Sequence, residues 1–572
     1  MGLGRLARWA GPVIILLVAF AVRFPALPQK GIVHWDEAML LNQARMVASG
    51  ARVALARAGV NLPEGQFLRP SEGFEIETRW GRLRGAESAL YSKPTHYFLL
   101  GFGMLALGEY PWAGQAVSAF LGVLTVALVY TMVRPAWGAP AALLAGASLA
   151  VSGWHAIYSA QALHGVNSLF LVNLALLFYW RALPRRQFKR DAVAAGACFG
   201  LAFTIDERAL LLLPVLALSE VLIWLGNLPA YRTRVLGRVG LMALARTGVV
   251  RATLVVGSCA AVLGGATGLL AGLGTVAERV GVALPGVQSN YGQVLGRQFA
   301  YWLQSAGQRS GSEPEFLIFP YLTWQWDGLM LVGLVIAGLV VAALQRQRQD
   351  VILVVMYAVH YLFWSLSAWH AAQYFLPMVL PGSILAGRWL AAVPPRAQTI
   401  VGVAVAGALI VANGPRVATL AAVGSGYQPA AEMAIRATGG KHLSNYRAMT
   451  MYYTGEANTL WPEGGMESVR QAVRDGFWVA IVASSHHDPG QMPAWESEPE
   501  LAGARLMAVL PNPAAASLPH IFGGLTGDRL DELLEEERRA SSEIKVYDLR
   551  PLLASGGTRT SSVTDVTNAG SR

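Results

Sequence analysis

Residues 11–50 read GPVIILLVAFAVRFPALPQKGIVHWDEAMLLNQARMVASG, and the order of properties along this stretch decides how the rest is read. Arg5 and Arg8 precede an apolar run long enough to cross a bilayer, whose ~30 Å hydrocarbon core needs about 20 apolar residues in a helix. Two adjacent carboxylates, Asp36 and Glu37, then open a segment whose apolar residues suit a helix lying along the membrane, with Gly50 as its stop. The basic-then-apolar opening has the layout of a signal peptide. No small-residue cleavage site follows it, so it is read as an uncleaved first span.

Composition supports that reading. The chain has 572 residues, of which 54% are hydrophobic and 14% charged, against roughly 25% charged in soluble domains. This argues against a water-soluble globular protein, and the 61 glycines suit membrane helices. Cys198 and Cys259 both lie inside apolar runs, which excludes a disulfide framework and a cysteine-built zinc site. The 45 Lys and Arg against 35 Asp and Glu give +10. In a membrane protein that excess reads as topology, so no nucleic-acid partner is expected.

Apolar runs fall near 9–27, 113–133, 138–158, 164–182, 191–206, 209–226, 249–273, 323–345, 350–368, 374–392 and 398–414, about eleven spans. Basic residues occupy alternate gaps: Arg5 and Arg8, Arg134, the cluster from Arg181 to Arg190, the cluster from Arg232 to Arg246, Arg346 with Arg348, and Arg396. The positive-inside rule makes those gaps cytoplasmic. THYFLLGFGMLAL (95–107) is too short to span and is read as an interfacial or re-entrant helix within a long first outer loop, 28–112. Residues 1–414 then form the membrane domain, with everything after it outside. Within 415–550, FWVAIVAS (477–484), RLMAVLPN (505–512) and EIKVYDLR (543–550) alternate like strands, with amphipathic stretches between them. They predict a small extracytoplasmic α/β domain. DRLDELLEEERRA (528–540) reads as a solvated helix, and 551–572 as a disordered tail. The expected fold class is mainly α, a polytopic helical bundle in the cell membrane with that small domain appended.

This topology sends most of the polar span-end residues to the outer side. They include Asp36, Glu37, Lys93, His96, His155, Gln161, His164, Asn167, Asp206, Glu207, Arg208, His370 and Gln373. Ionisable groups near an apolar core are costly and often functional, and one water-facing cavity would account for them together. Each also has a plain structural reading. Asp36 is either an N-cap or a carboxylate kept charged by a helix N-terminus. Lys93 either binds phosphate or snorkels to the surface. Asp206, Glu207 and Arg208 either neutralise one another or bind ligand, and His164 and His370 either pack or bind. No HExxH, phosphate-binding glycine loop or GxSxG elbow is present, which leaves protease, ATPase and hydrolase readings without support.

The ordered set of DEAMLLNQARMVASG (36–50), SKPTHYFLLGFGMLALG (92–108) and GQAVSAFLGVLTVALVY (114–130) resembles the GT-C glycosyltransferases. Within that superfamily it is similar to the protein O-mannosyltransferase and lipid A aminoarabinose transferase group. Weaker echoes are YSAQALHGVNSLFLVNLALLFY (158–179), QYFLPMVLPGSILAG (373–387) and NYRAMTMYYTG (445–455). The resemblance implies a GT-C-like bundle with horizontal helices in the first outer loop. It also implies transfer of a sugar from a polyprenyl-phosphate carrier to an acceptor at the outer face, with inversion. It puts the catalytic carboxylate on Asp36, with Glu37 beside it, and Lys93 near the lipid phosphate. His96, Gln161, His164, Arg208, His370 and Gln373 are expected to line the substrate cavity. The chain departs from the group at Ser92, where the aminoarabinose branch often has Glu, and at Gln115, Gln161 and Gln373, where members commonly have Arg. Arg208 or His370 is available to supply the missing cation.

The expected partners are a lipid-linked sugar donor, membrane lipids and an acceptor that is a protein, a glycolipid or a glycan. No cofactor is expected and no metal residues are assigned, although some GT-C enzymes use a divalent metal. Two other classes stay open: a non-catalytic GT-C-like subunit of a cell-envelope complex, and a transporter. Against transport stand the long polar first loop and the absence of an inverted repeat.

Overall fold

The computed structural model describes residues 3–60, 75–78, 81–84, 93–183, 188–233, 237–279, 316–366, 369–455, 458–460, 465–483, 503–514, 521–523 and 543–554. The chain forms two compact units, Met1–Ser425 with Pro513–Arg539, and Gly426–Asn512 with Ala540–Arg572.

The first unit is helical. In chain order it contains α1 (Leu3–Arg23), α2 (Trp35–Arg57), α3 (Pro94–Leu107), α4 (Pro111–Ala150), α5 (Gly153–Ser159), α6 (His164–Ala182) and α7 (Phe188–Ile205). These are followed by α8 (Leu212–Thr233), α9 (Gly237–Arg279), α10 (Ile318–Gln345), α11 (Arg348–Leu366), α12 (Leu376–Arg388) and α13 (Pro395–Ala421). A short antiparallel hairpin, β1 (Glu75–Thr78) and β2 (Gly81–Arg84), lies between α2 and α3 in sequence. Strand β3 (Trp369–Ala371) pairs with β8 (Ile521–Gly523).

Nine helices among the described residues are long and apolar enough to cross a membrane, where eleven spans were expected. The two differences have separate causes. Expected spans 113–133 and 138–158 fall largely on α4, a run of 40 residues. At 1.5 Å per residue that run would be about 60 Å long, twice the ~30 Å core. Gly138, at φ 88° and ψ 170°, breaks the helix into two arms and permits two crossings. The expected span 191–206 falls on α7, whose first turn carries Lys189, Arg190 and Asp191 and leaves too short an apolar window. The 95–107 segment forms α3, a 14-residue helix about 21 Å long. The last span runs through Pro415 to Ala421, beyond the expected end at 414. Proline is tolerated in membrane helices where neighbours satisfy the freed carbonyl.

Between apolar helices in lipid, close backbone approach does the packing, and small residues permit it. Gly338 of α10 lies against the Leu385 carbonyl of α12, Gly387 of α12 against the Ala141 carbonyl of α4, and Gly196 of α7 against the Val255 carbonyl of α9. A methyl group at Gly338 would overlap that carbonyl oxygen and its carbon. Gly338→Ala is therefore expected to force α10 and α12 apart and cost roughly 1–3 kcal/mol, read as a lower midpoint of heat unfolding in detergent. One charged pair is also sealed in this unit. Arg388 Nε donates to Asp350 Oδ1 at 2.6 Å and Nη2 to Oδ2 at 3.0 Å, with neither residue more than 1% exposed.

The second unit is α/β, with the five-stranded order β5-β4-β6-β9-β7. Its strands are β4 (His442–Ser444), β5 (Thr459–Leu460), β6 (Val479–Ala483), β7 (Arg505–Pro511) and β9 (Glu543–Asp548), and its helices are α14 (Tyr427–Thr438), α15 (Arg447–Thr454) and α16 (Gly465–Arg474). Strands β6, β7 and β9 fall on the three alternating segments. Leu443, Val469, Val473, Ala480 and Leu549 form its core. The sequence 528–540 and the tail from 555 onward lie outside the described residues.

Candidate functional site

The site begins where the chain turns into α2. Gly31 takes φ 65°, outside the ordinary range for L-residues. On either side of it, Lys30 Nζ donates to Ala421 O (2.8 Å), while the Ser425 backbone N–H donates to Lys30 O (3.1 Å) and its hydroxyl to Ile32 O (2.5 Å). The first turn of α2 then sends its two carboxylates in different directions. Glu37 is fully buried. Its Oε2 accepts the Val33 N–H (2.9 Å), while Oε1 accepts Gln115 Nε2 (3.0 Å) and the Ala162 N–H (2.8 Å). One side chain thus ties together the entry to α2, the α4 helix and the loop before α6.

Asp36 points the other way, with its side chain 41% exposed. It does not act as an N-cap. Its own backbone N–H is taken by His34 Nδ1 at 2.9 Å, and burial holds His34 below the usual histidine range. Asp36 Oδ2 accepts Gln373 Nε2 at 3.2 Å, leaving the carboxylate held on one side and open on the other.

A second cluster is built from α3, α6 and the turn between α7 and α8. Lys93 precedes α3 and pairs with Glu207 at 2.7 Å. His96 Nδ1 accepts from Asn167 Nδ2 (3.0 Å), so its Nε2 carries the proton and donates to Ala162 O (3.2 Å). Burial pushes His96 down to about 3, and the imidazole stays neutral. Asp206 caps the turn by accepting the Arg208 N–H and also holds the guanidinium through two bonds of 2.7 Å. The same guanidinium donates to His164 Nε2. Because guanidinium has no acceptor, His164 must be protonated at Nδ1. Arg208 also lies 4.9 Å from the centre of the Tyr374 ring, the neighbour of Gln373. A continuous path therefore runs from Asp36 through Gln373 and Tyr374 to Arg208, Asp206, Glu207 and Lys93.

Several polar atoms along this path are buried and have no hydrogen-bond partner among the described residues. They are Arg208 Nη1, His164 Nδ1, the Tyr158 hydroxyl, Gln373 Oε1 and both amide atoms of Gln161. Unsatisfied buried polar groups are costly. Tyr158 lies within electrostatic reach of both Arg208 and Asp36, which locates the cluster beside the open carboxylate. Arg208, His164 and Tyr158 present N–H or O–H donors, and an anion is their natural complement.

The structure thus brings together Asp36, Lys93, His164, Arg208 and Gln373, and buries Gln161 in the turn between α5 and α6. It gives two expected site residues other work: Glu37 has its oxygens filled by backbone and amide N–H groups, and His96 has both ring nitrogens engaged. His370 lies on β3 opposite Phe522. His155, which the outer-side sorting had included, accepts from Arg23 Nη2 (2.8 Å) in a buried junction where that arginine also caps the Ala150 carbonyl. Ser92 lies outside the described residues. Tyr158 and Tyr374 were missed in the sequence, because an aromatic at a span end ordinarily reads as an interface anchor. Among the described residues, no group of three His, Cys, Asp or Glu side chains is placed to hold a metal.

Comparison with known proteins agrees with this architecture. Residues 92–249 match the family described as dolichyl-phosphate-mannose-protein mannosyltransferase. Over 178 residues the chain is 27% identical to the undecaprenyl phosphate-alpha-4-amino-4-deoxy-L-arabinose arabinosyl transferase of Pseudomonas aeruginosa strain LESB58, covering 30% of this chain and 32% of that protein. The match therefore spans about a third of the relative's length. Among solved structures, apo ArnT from Cupriavidus metallidurans aligns with a TM-score of 0.54 at 14% identity, covering 96% of this chain and 99% of that one. The archaeal oligosaccharyltransferase AglB from Archaeoglobus fulgidus aligns with a TM-score of 0.51 at 14% identity, covering 84% and 70%. The chain has the fold of the GT-C membrane glycosyltransferases.

Proposed function

We propose that this multi-pass membrane protein transfers a sugar from a polyprenyl-phosphate carrier to an acceptor hydroxyl at the outer face of the cell membrane, with inversion at the anomeric carbon. The observation that carries the reading is the half-exposed Asp36 carboxylate beside a set of buried donors without partners. In the reaction the acceptor oxygen attacks the anomeric carbon while Asp36 takes its proton. The bond from that carbon to the phosphate oxygen breaks, and polyprenyl phosphate leaves with the electron pair. Positioned proton transfer of this kind contributes about 10²- to 10⁴-fold.

Arg208 Nη1, the Tyr158 hydroxyl and His164 Nδ1 face the charge that develops on the leaving phosphate, where preorganised donors act most strongly. Lys93 adds a cation at the edge of this group, and Gln161 and Gln373 offer amides where the aminoarabinose and mannosyl transferases commonly have Arg. Gln373 also holds Asp36 in place. Glu37 and His96 are positioning residues. The alternation of basic gaps along the chain supports an outward-facing site and an outer second unit in the inner or plasma membrane. ArnT has been solved bound to undecaprenyl phosphate, with a TM-score of 0.52 to this chain at 15% identity.

One observation favours a second reading. Both cations of the site are matched by carboxylates, Arg208 by Asp206 and Lys93 by Glu207, so the site carries less positive charge than a phosphate seat needs. A non-catalytic GT-C-like subunit would have such a neutralised site. The deciding experiment incubates the purified full chain, in nanodiscs, with a panel of polyprenyl-phosphate sugars and with peptide, glycolipid and glycan acceptors, and measures free polyprenyl phosphate. Release from at least one donor is the expected result. Lipid binding without release from any combination would overturn the enzyme reading in favour of the subunit.

A further inference from the structure

Helices α6 and α8 each begin at the site just described, α6 at His164 and α8 just after Arg208, and both run away from it. At 1.5 Å per residue the 19 residues of α6 reach about 28 Å, one hydrocarbon thickness. At that far end lies a half-open cavity of about 180 Å³, lined by Leu183, Trp224, Thr247, Arg251, Arg348 and Glu220 among others.

The two arginines in this lining are in different states. Arg251 is fully engaged. Its Nε and Nη2 donate to the two oxygens of Glu220 at 2.6 and 2.7 Å, and its Nη1 donates to Ala182 O at 3.1 Å. Glu220 also accepts from the Tyr179 hydroxyl. This network closes the inner wall of the cavity with no net charge. Arg348 makes one long bond, Nη1 to Leu183 O at 3.4 Å, and no carboxylate pairs with it among the described residues. The indole N–H of Trp224 likewise has no partner there. Among the described residues the cavity therefore presents one cation without a carboxylate and one free donor, beside the neutral Arg251–Glu220 pair and the apolar Leu183, Val221, Ile223 and Val249.

We propose that this cavity seats the phosphate headgroup of an anionic phospholipid from the leaflet opposite Asp36. The wall is apolar below the headgroup level, where acyl chains run, and cationic and aromatic at it. Basic pockets between membrane helices recognise anionic headgroups in this way, and Trp is enriched at that depth. Charge complementarity at Arg348 selects an anionic headgroup over a zwitterionic one. The cavity is a full bilayer away from the carboxylate and its donors, so it is a separate site whatever reaction occurs at Asp36.

The test delipidates the purified full chain in neutral detergent. Native mass spectrometry then counts retained phosphatidylglycerol against phosphatidylcholine with the same acyl chains. A thermal-shift arm adds inorganic phosphate alone. Wild type is expected to prefer phosphatidylglycerol, and Arg348→Ala to lose about five-fold of that preference, the share one cation contributes near a charged surface. Arg348→Lys should retain most of it, which separates loss of charge from loss of folding. Inorganic phosphate should give no shift. The proposal fails if Arg348→Ala keeps the full preference, if Arg348→Lys loses as much as Arg348→Ala, or if free phosphate protects as well as the lipid.

Discussion

Asp36→Asn is expected to leave the chain folded and to cut release of polyprenyl phosphate by about 10²- to 10⁴-fold, the range for a positioned proton acceptor. The side chain is 41% exposed and makes one side-chain hydrogen bond, from Gln373 Nε2. An asparagine keeps an oxygen to accept that bond, and the helix start loses nothing because His34 receives the Asp36 N–H. Removing the charge therefore removes a base and little else. Binding of the lipid donor should be nearly unchanged, since the donors facing the phosphate belong to Arg208, His164 and Tyr158. Rate and donor affinity measured side by side check this. A variant with wild-type turnover would show that Asp36 takes no proton, and one that fails to fold would show that its role is structural.

The adjacent residue should behave in the opposite way. Glu37→Gln preserves size but replaces one acceptor oxygen with an N–H₂ group. Val33, Gln115 and Ala162 all present N–H donors to this carboxylate, so whichever way the amide is turned, a donor meets a donor. Leaving one buried donor without a partner costs about 1–3 kcal/mol, and bonds to a charged acceptor add to that. Lys30, itself buried, also loses the negative charge it feels from Glu37. The total is roughly 3 kcal/mol, seen as a clear drop in the heat-unfolding midpoint in detergent. Turnover per folded molecule should fall far less than in Asp36→Asn. A Glu37→Gln chain as stable as wild type but inactive would return Glu37 to the catalytic role that its place beside Asp36 suggested.

These neighbours illustrate how far the sequence could be read. DE at the start of a helix announces two carboxylates at a favourable dipole, and nothing in the spacing says which is exposed. That depends on Gln115 and Ala162, which come from α4 and the loop before α6, each more than seventy residues away in sequence. Likewise, Lys93 read as a free cation because Glu207, its partner, belongs to the turn before α8. His96 read as a ligand because the atoms that occupy its nitrogens, Asn167 Nδ2 and Ala162 O, belong to a different part of the chain. The cavity at Arg348 left no motif, since its lining comes from Leu183 after α6, the middle of α8, the third and fourth turns of α9 and the start of α11.

What the sequence determined by itself is whatever depends on local composition. The length of an apolar run against the thickness of a bilayer identifies the membrane helices, and alternation with turns identifies the strands of the second unit. Even the difference between eleven expected spans and nine long apolar helices was local in origin: a glycine break inside 111–150 and a charged first turn at 188–191. Only the tertiary structure decided which carboxylate faces out, which cations are matched, and which donors are left for a ligand. Those properties are set by the partner each polar group finds when helices distant in sequence pack together. In an apolar interior the presence or absence of one such partner is worth more than any local preference.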